Sequence, residues 1–166
     1  MLVVADTTPL NYLVLIGQVT VLASLYEQVV IPNAVATELR HPKAPEVVRA
    51  WIASPSSWCT IRQAQRPPER ALMPLGAGER EAIVLAEELG AGALLTDDLE
   101  GREAAMHRGI EVTGTLGTLE RAAQRALLDL PTVIAQLQAT TFYGAPDIIA
   151  AMLARDAART KPMEPP

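Results

Sequence analysis

Five acidic residues occupy positions where an acid is unusual. Asp6 directly follows the apolar run "LVVA", and Asp97 and Asp98 follow a second apolar run, "ALLT". Glu38 and Glu79 fall on the apolar sides of two predicted helices. Acids at strand ends and on inward helix faces are the arrangement expected if several carboxylates meet at one place.

The two glutamates are placed by helical spacing. Glu38 lies three residues after Val35 in the helix predicted after Pro32, and Glu79 lies three residues before Ala82 in a later helix. Residues three or four apart share one side of a helix, so both acids adjoin an apolar stripe. Three further glutamates fall off the stripe of the later helix and are expected to be solvated: Glu81, Glu87 and Glu88.

Carboxylates that converge need a positive charge among them. Two carboxylates about 5 Å apart repel by roughly 3 kcal/mol at an effective dielectric constant near 20. Oxygen ligands of this kind suit Mg²⁺ or Mn²⁺, which can activate a water and stabilise charge on a phosphoryl oxygen. The chain has only 2 histidines and 1 cysteine, so a zinc hydrolase is not indicated.

Helix capping is the alternative role for the acids at the strand ends. Asp is a favoured N-cap residue, and either Asp97 or Asp98 could cap the helix that follows. For the first helix, Thr8 before Pro9 is expected to be the cap, which leaves Asp6 without that role.

Strand and helix patterns alternate along most of the chain. Strands are predicted at "LVVA", "QVVIP", "WCTIR", "GALLTDD" and "IEVTG", with helical patterns between them and after the last one. Such alternation predicts a three-layer α/β/α domain around a central parallel sheet of four to five strands. In sheets of this type sites form beyond the carboxyl ends of the strands, where Asp6 and Asp97/Asp98 stand. We expect a single domain over residues 1–158 and a flexible tail over 159–166.

Composition sets the broad class. The 166 residues are 49% hydrophobic and 20% charged, which is typical of a globular domain. The net charge of −5 gives no general attraction to nucleic acid, although a local basic patch would be compatible with it. No basic stretch precedes the first apolar run and no apolar run could span a membrane, so we expect a cytoplasmic protein. The six aromatic residues (2 Trp, 3 Tyr, 1 Phe) offer little for base stacking.

The segments "VVADTTPLNYL", "VVIPNAVATELRHP" and "LGAGEREAIVLAEELGAGALLTDD" together resemble the PIN domains, in particular a PIN-like branch of small prokaryotic proteins. The resemblance implies a metal-dependent endoribonuclease that cleaves single-stranded RNA. It matches Asp6, Glu38 and Glu79 to the family's first three acids, with Glu at the third position where Asp is usual. The fourth acid falls on Asp97 or Asp98. All of these acids are therefore candidate catalytic residues.

The same resemblance implies roles for neighbouring residues and for partners. Asp6, Glu38 and one or both of Asp97 and Asp98 would hold Mg²⁺ or Mn²⁺, and Glu79 would complete the shell or help to deprotonate the attacking water. Substrate contacts would come from Thr7, Thr8 and Arg102. Many small prokaryotic PIN domains are toxins of type II toxin–antitoxin pairs, which implies a homodimer and a separately encoded antitoxin.

Three other functions can be compared with this interpretation. A catalytically degenerate PIN-like module would bind RNA or a protein partner without cleaving anything. A phosphatase on a similar sheet is disfavoured, since "ADTTP" lacks the second acid that a phosphoaspartate enzyme needs two residues after the first. A dinucleotide-binding domain is disfavoured as well, because no glycine-rich loop follows the first strand.

Overall fold

The computed structural model describes residues 1–160. The chain forms two compact units, Met1–Thr115 and the part from Leu116 onward. The elements of the first unit are β1 Leu2–Ala5, α1 Thr7–Leu15, α2 Val21–Leu25, β2 Gln28–Pro32, α3 Asn33–Leu39, α4 Glu46–Ala53, β3 Cys59–Arg62, a 3₁₀ turn Arg70–Leu72, α5 Ala77–Leu89, β4 Ala93–Leu95, α6 Leu99–Met106 and β5 Val112–Thr113. Three helices follow: α7 Thr115–Gln124, α8 Leu130–Gln138 and α9 Pro146–Thr160.

The five strands form one parallel sheet in the order β3-β2-β1-β4-β5. The chain moves outward from β1 to β3, then crosses to β4 on the other side of β1. Because strand crossovers are right-handed, this reversal places α5 and α6 on the face of the sheet opposite to α1 and α4. α3 contacts α5. The predicted three-layer α/β/α fold with a parallel sheet of four to five strands is confirmed, with five strands.

The sheet is buried on both faces, as its short apolar strands require. Val4, Val30 and Leu94 point toward one side and share a buried cluster with Ile83 of α5 and Ala105 of α6. The alternate residues of the same strands, which point to the opposite face, are also buried: Val3, Ala5, Val29, Ile31, Ala93 and Leu95. A sheet covered in this way leaves its edges and strand ends as the places where polar chemistry can occur.

The reversal between β1 and β4 fixes the position of the acidic residues. β1 pairs with β4 in a register that sets Ala5 opposite Leu95, so the residues after the two strands emerge side by side. Asp6 follows β1, and Thr96, Asp97 and Asp98 follow β4. The carboxyl ends of strands at such a reversal are where α/β proteins form their sites.

Helix ends show why α5 carries its glutamate at the site. The Glu79 carboxylate accepts the backbone N–H of Gly76 at 3.0 Å, which caps the first turn of the helix. The helix ends before Gly90, whose φ of +56° is the left-handed conformation that a glycine adopts without strain. α5, whose first turn carries Glu79, contacts α3.

The second unit contains α8 and α9 in contact, and Asp129 caps α8 by accepting the N–H of Thr132 at 3.1 Å. Arg155 of α9 forms an ion pair with Glu120 at 2.8 Å. The predicted domain over 1–158 stays a prediction, and residues 161–166 of the predicted tail lie outside the described residues. Among residues 1–160, no helix combines the length and apolar character that a membrane span requires.

Candidate active site

Asp6 is a buried carboxylate at the point where β1 becomes α1. Its side chain is only 4% exposed. One oxygen accepts the backbone N–H of Thr7 at 2.7 Å, and the other accepts the hydroxyl of Thr96 at 3.1 Å. The prediction that Thr8 caps the first helix is wrong, because Asp6 itself is the N-cap and Thr8 is the second residue of α1. Asp6 therefore caps the helix and faces the site at once.

The environment of Asp6 favours its protonated form. The pKa of Asp6 is raised from 3.8 to about 6, mainly by burial and to a smaller extent by the negative charges of Glu79 and Glu38. The hydrogen bonds from Thr7 and Thr96 act in the opposite direction but do not compensate. A buried carboxylate whose pKa is raised toward neutrality by other carboxylates is a recognised mark of a functional site.

Glu38 reaches the same place from α3. Its carboxylate accepts a short hydrogen bond from the hydroxyl of Thr7 and a second bond from the backbone N–H of Gly78, at 3.1 Å. A Cβ atom at position 78 would lie 2.9 Å from Glu38 Oε1, so only glycine leaves room for the carboxylate. Thr7 thus connects Asp6, through its N–H, with Glu38, through its hydroxyl.

Glu79 lies at the first turn of α5, next to Gly78. Partial burial raises the pKa of Glu79, as do the charges of Asp98, Glu38 and Glu100, while the hydrogen bond from Gly76 opposes the rise. The charge of Glu38 thus acts on both Asp6 and Glu79, and the charge of Glu79 acts on Asp6.

The two acids after β4 turn in different directions. Asp97 accepts two hydrogen bonds from Thr115, one from the backbone N–H at 2.8 Å and one from the hydroxyl at 2.6 Å. Asp98 caps α6 by accepting the N–H of Gly101 at 2.8 Å, and its charge still raises the pKa of Glu79. Asp97 is hydrogen-bonded to the start of α7, whereas Asp98 is exposed at the end of β4. We call Asp6, Glu38, Glu79 and Asp98 together the acidic edge.

The predicted substrate contacts are also placed. Arg102 of α6 is half-buried and donates from Nη1 to the carbonyl of Thr96 at 2.9 Å, so it stands at the end of β4. Thr8 is half-buried, and its hydroxyl makes no hydrogen bond within the described part of the chain. Thr7, in contrast, is bonded to Glu38.

The charges at this edge are not neutralised by the chain. Within residues 1–160, no lysine, arginine or histidine forms an ion pair with Asp6, Glu38 or Glu79. In the same range, no three Asp, Glu, His or Cys side chains stand close enough to enclose a metal ion as they are placed. The donors are all carboxylate oxygens, the set that a hard divalent cation prefers, and the uncompensated charge favours such an ion. The residues therefore fit Mg²⁺ or Mn²⁺ in donor type and charge.

Sequence reasoning missed Thr96 and misjudged the outer glutamates of α5. Thr96 is 1% exposed, and the signal for its role was a hydroxyl residue directly before two acids. Glu81 is not solvated as predicted: it accepts the backbone N–H groups of Ala34 at 2.6 Å and of Ala64 at 3.0 Å. Glu87 and Glu88 are also partly buried, in ion pairs with Arg66. These contacts join distant segments, so helical spacing gave no signal for them.

The fold is a parallel α/β domain with acidic residues at the carboxyl ends of its central strands. The family model DUF3368, a PIN domain, matches residues 2–157, and the chain belongs to this PIN domain family, as the resemblance predicted. PIN domains are generally nucleases and typically use divalent metal ions.

Among solved structures, a PilT N-terminus domain protein from the hyperthermophilic archaeon Sulfolobus solfataricus P2 is similar to this chain, with 15% identity and a TM-score of 0.49. The match covers 87% of this chain and 100% of the archaeal one. A comparison with curated proteins gave no significant match.

Proposed function

We propose that this protein is a divalent-metal-dependent endoribonuclease that cleaves single-stranded RNA. One observation carries the proposal: Thr7 joins the buried carboxylate of Asp6 to the exposed carboxylate of Glu38, near Glu79, and no cation of the described chain is paired with any of these three acids. Membership of a family whose members are generally nucleases supports the same chemistry.

The ion site we propose is formed by Asp6, Glu38 and an acid from the turn after β4. Asp98 suits that role better than Asp97, because it is exposed and couples to Glu79 whereas Asp97 is held by Thr115. When bound, Mg²⁺ or Mn²⁺ supplies the positive charge that activates a water and stabilises a phosphoryl oxygen. Thr7 and Gly78 orient the Glu38 carboxylate for this purpose.

Glu79 is the proposed general base. Its raised pKa gives it greater basicity than an ordinary glutamate, and its position at the first turn of α5 keeps it partly exposed to water. Glu79 would accept the proton of the attacking water. Arg102, at the end of β4, and Thr8, with an unbonded hydroxyl, would contact the phosphate of the substrate.

We further propose that the protein acts as a toxin with a separately encoded antitoxin, and that it forms a homodimer. The support is the resemblance to small prokaryotic PIN proteins, many of which work in this way. An antitoxin that covers the acidic edge would block both the ion and the RNA.

A degenerate, non-cleaving module is the second candidate function, and a specific observation favours it. Glu79 accepts from Gly76, Asp98 from Gly101 and Asp97 from Thr115, so each acid also serves the fold. In that case the acidic edge would stabilise helix ends and bind a partner without catalysis.

An assay of RNA cleavage separates the two candidates. The wild-type protein should cleave a single-stranded RNA in Mn²⁺ or Mg²⁺ and not in a chelator. Asp6→Ala should abolish cleavage, whereas Gln136→Ala, at an exposed carboxamide on α8, should leave it unchanged. If the wild-type protein binds RNA but does not cleave it in either Mn²⁺ or Mg²⁺, the result would support the degenerate module instead.

A further inference from the structure

A cavity of about 540 Å³ lies next to the acidic edge and uses the same two helices. Asn33 and Ala34 of α3 line it, and Glu38 follows five residues after Asn33 on that helix. Ala77 and Arg80 of α5 line it as well, and they flank Glu79. Ala77 directly precedes Gly78, whose backbone N–H donates to Glu38, so a ligand in the cavity would lie near the Glu38 carboxylate.

The cavity walls are held by charged groups that are already in use. Glu81 accepts the N–H groups of Ala34 and Ala64, which ties α3, α5 and the segment after β3 together. Arg80 donates from Nη1 to the carbonyls of Met73 at 3.1 Å and Leu75 at 2.8 Å. Such bonds preform the cavity, and the Nη1 group of Arg80 is used within the chain.

Two carboxamides are among the polar groups available to a ligand. The side chains of Asn33 and Gln63 are exposed and have no hydrogen-bond partner within residues 1–160. The apolar part of the lining includes Pro67, Pro68 and Val84, and no aromatic ring is among the described residues that line the cavity. Arg66, also in the lining, is paired with Glu87 and Glu88. The free carboxamides and the apolar residues of the lining suit a planar group with a polar edge.

We propose that this cavity binds an unpaired nucleobase and prefers adenine. A carboxamide can donate to N7 of adenine while it accepts from N6, and unpaired bases of RNA are recognised through their edges in this way. The inference rests on the proposed RNA substrate, since it places one base of the strand beside the acids that would act on a neighbouring phosphodiester. Recognition here depends on base edges and not on stacking, which the scarcity of aromatic residues had made unpromising.

The binding test uses the full-length protein without any catalytic step. Each of the four nucleoside 5′-monophosphates, and inorganic phosphate, is titrated into ¹⁵N-labelled protein while the side-chain amide signals of Asn33 and Gln63 are followed. Adenosine monophosphate should shift both signals, and phosphate alone should shift neither. Asn33→Ala and Gln63→Ala should each weaken adenosine monophosphate binding about tenfold, and Gln136→Ala on α8 should not.

The outcomes are distinct from those of the cleavage assay. Equal responses to all four nucleotides and to phosphate would show that the phosphate is bound, and would overturn the proposal. The absence of a response to any nucleotide would overturn it too. If adenosine monophosphate binds at these two side chains but the protein cleaves no RNA, the nucleobase site would be supported and the ribonuclease proposal would be contradicted. Since both side chains are exposed and unbonded, unchanged thermal unfolding checks that the variants are folded.

Discussion

The hydroxyl of Thr7 donates a hydrogen bond to the carboxylate of Glu38, a residue 31 positions further along the chain. The backbone N–H of the same threonine donates to Asp6. One residue at the start of α1 thus fixes two acids from different elements in a common orientation. Groups that orient ligand side chains contribute to metal sites nearly as strongly as the ligands do.

Thr7→Val should reduce cleavage and the affinity for Mn²⁺ by roughly 10- to 100-fold, because Glu38 loses the bond that orients it. The substitution preserves the shape of the side chain, and the bond is exposed, so the free energy of unfolding should change little. Calorimetric titration of Mn²⁺ measures the affinity. Thr8→Val is the matched control for the Mn²⁺ affinity, since its hydroxyl has no bond within residues 1–160 and is proposed to contact the RNA and not the ion. Equal effects of the two substitutions on the Mn²⁺ affinity would contradict the orienting role of Thr7.

Gly78→Ala should leave the fold intact and remove the ion site. A Cβ at position 78 would lie 2.9–3.1 Å from the Glu38 carboxylate atoms and push that flexible side chain aside. In a chelator the free energy of unfolding should stay within about 1 kcal/mol of the wild type, because alanine is also the better helix former. Gly76→Ala is the control, since its Cβ would meet nothing closer than 3.7 Å. Thermal unfolding with and without Mn²⁺ compares them, and retention of the full Mn²⁺ response by Gly78→Ala would refute the close approach.

Asp6→Asn should stabilise the metal-free protein above pH 6. The pKa of Asp6 is about 6 in the folded protein against an ordinary 3.8, so the folded state holds this proton more tightly than the unfolded chain. The contribution of Asp6 to stability is therefore present below about pH 4 and is lost as the pH rises through about 6. The difference in pKa corresponds to roughly 3 kcal/mol at most. Asparagine can still cap α1, so the cap is retained.

Urea unfolding of the wild type and Asp6→Asn between pH 4 and pH 7, in a chelator, measures this contribution. The gap between the two proteins should widen in favour of the variant as the pH rises. A gap that stays constant or narrows would show that Asp6 carries no ionisation penalty.

Glu81→Ala should destabilise the fold by about 2–4 kcal/mol, because two backbone N–H groups lose a charged acceptor. Glu87→Ala is the control, since it removes a glutamate further along α5 that makes only partly exposed ion pairs. It should lower the free energy of unfolding by under about 1 kcal/mol. Chemical denaturation gives both values. Equal stabilities of the two variants would mean that the hydrogen bonds of Glu81 to Ala34 and Ala64 contribute little to the free energy of unfolding.

The strands and their layered arrangement could be predicted because the information is local. Each strand is a short apolar run, and the amphipathic pattern of α5 identifies which of its faces covers the sheet. Buried parallel sheets depend on such runs, so a sheet of four to five strands could be predicted from the pattern, with Asp6 and Asp97/Asp98 directly after two of the strands.

The finer roles of the acids depended on contacts that the pattern does not contain. Thr8 was the expected cap of α1 because it precedes a proline, so no capping role was expected of Asp6. In the structure Asp6 caps α1 and also faces the site, because its two oxygens accept from different donors. Glu81 lies off the apolar stripe of α5, but a side of the helix that does not face the sheet can still face another segment. Periodicity reports the position of a residue on its own helix and not what other elements bring to that position.

Thermal unfolding of the wild type and Asp6→Asn, each with and without Mn²⁺, tests the central claim most directly: the converging acids form a site for a divalent cation. With Mn²⁺ at about one hundred times its Kd, the wild-type Tm should rise by roughly 5–10 °C. Asp6→Asn should start from a higher metal-free Tm at pH 7 and show no rise. A wild-type Tm that does not respond to Mn²⁺, or a response of equal size in Asp6→Asn, would contradict the account.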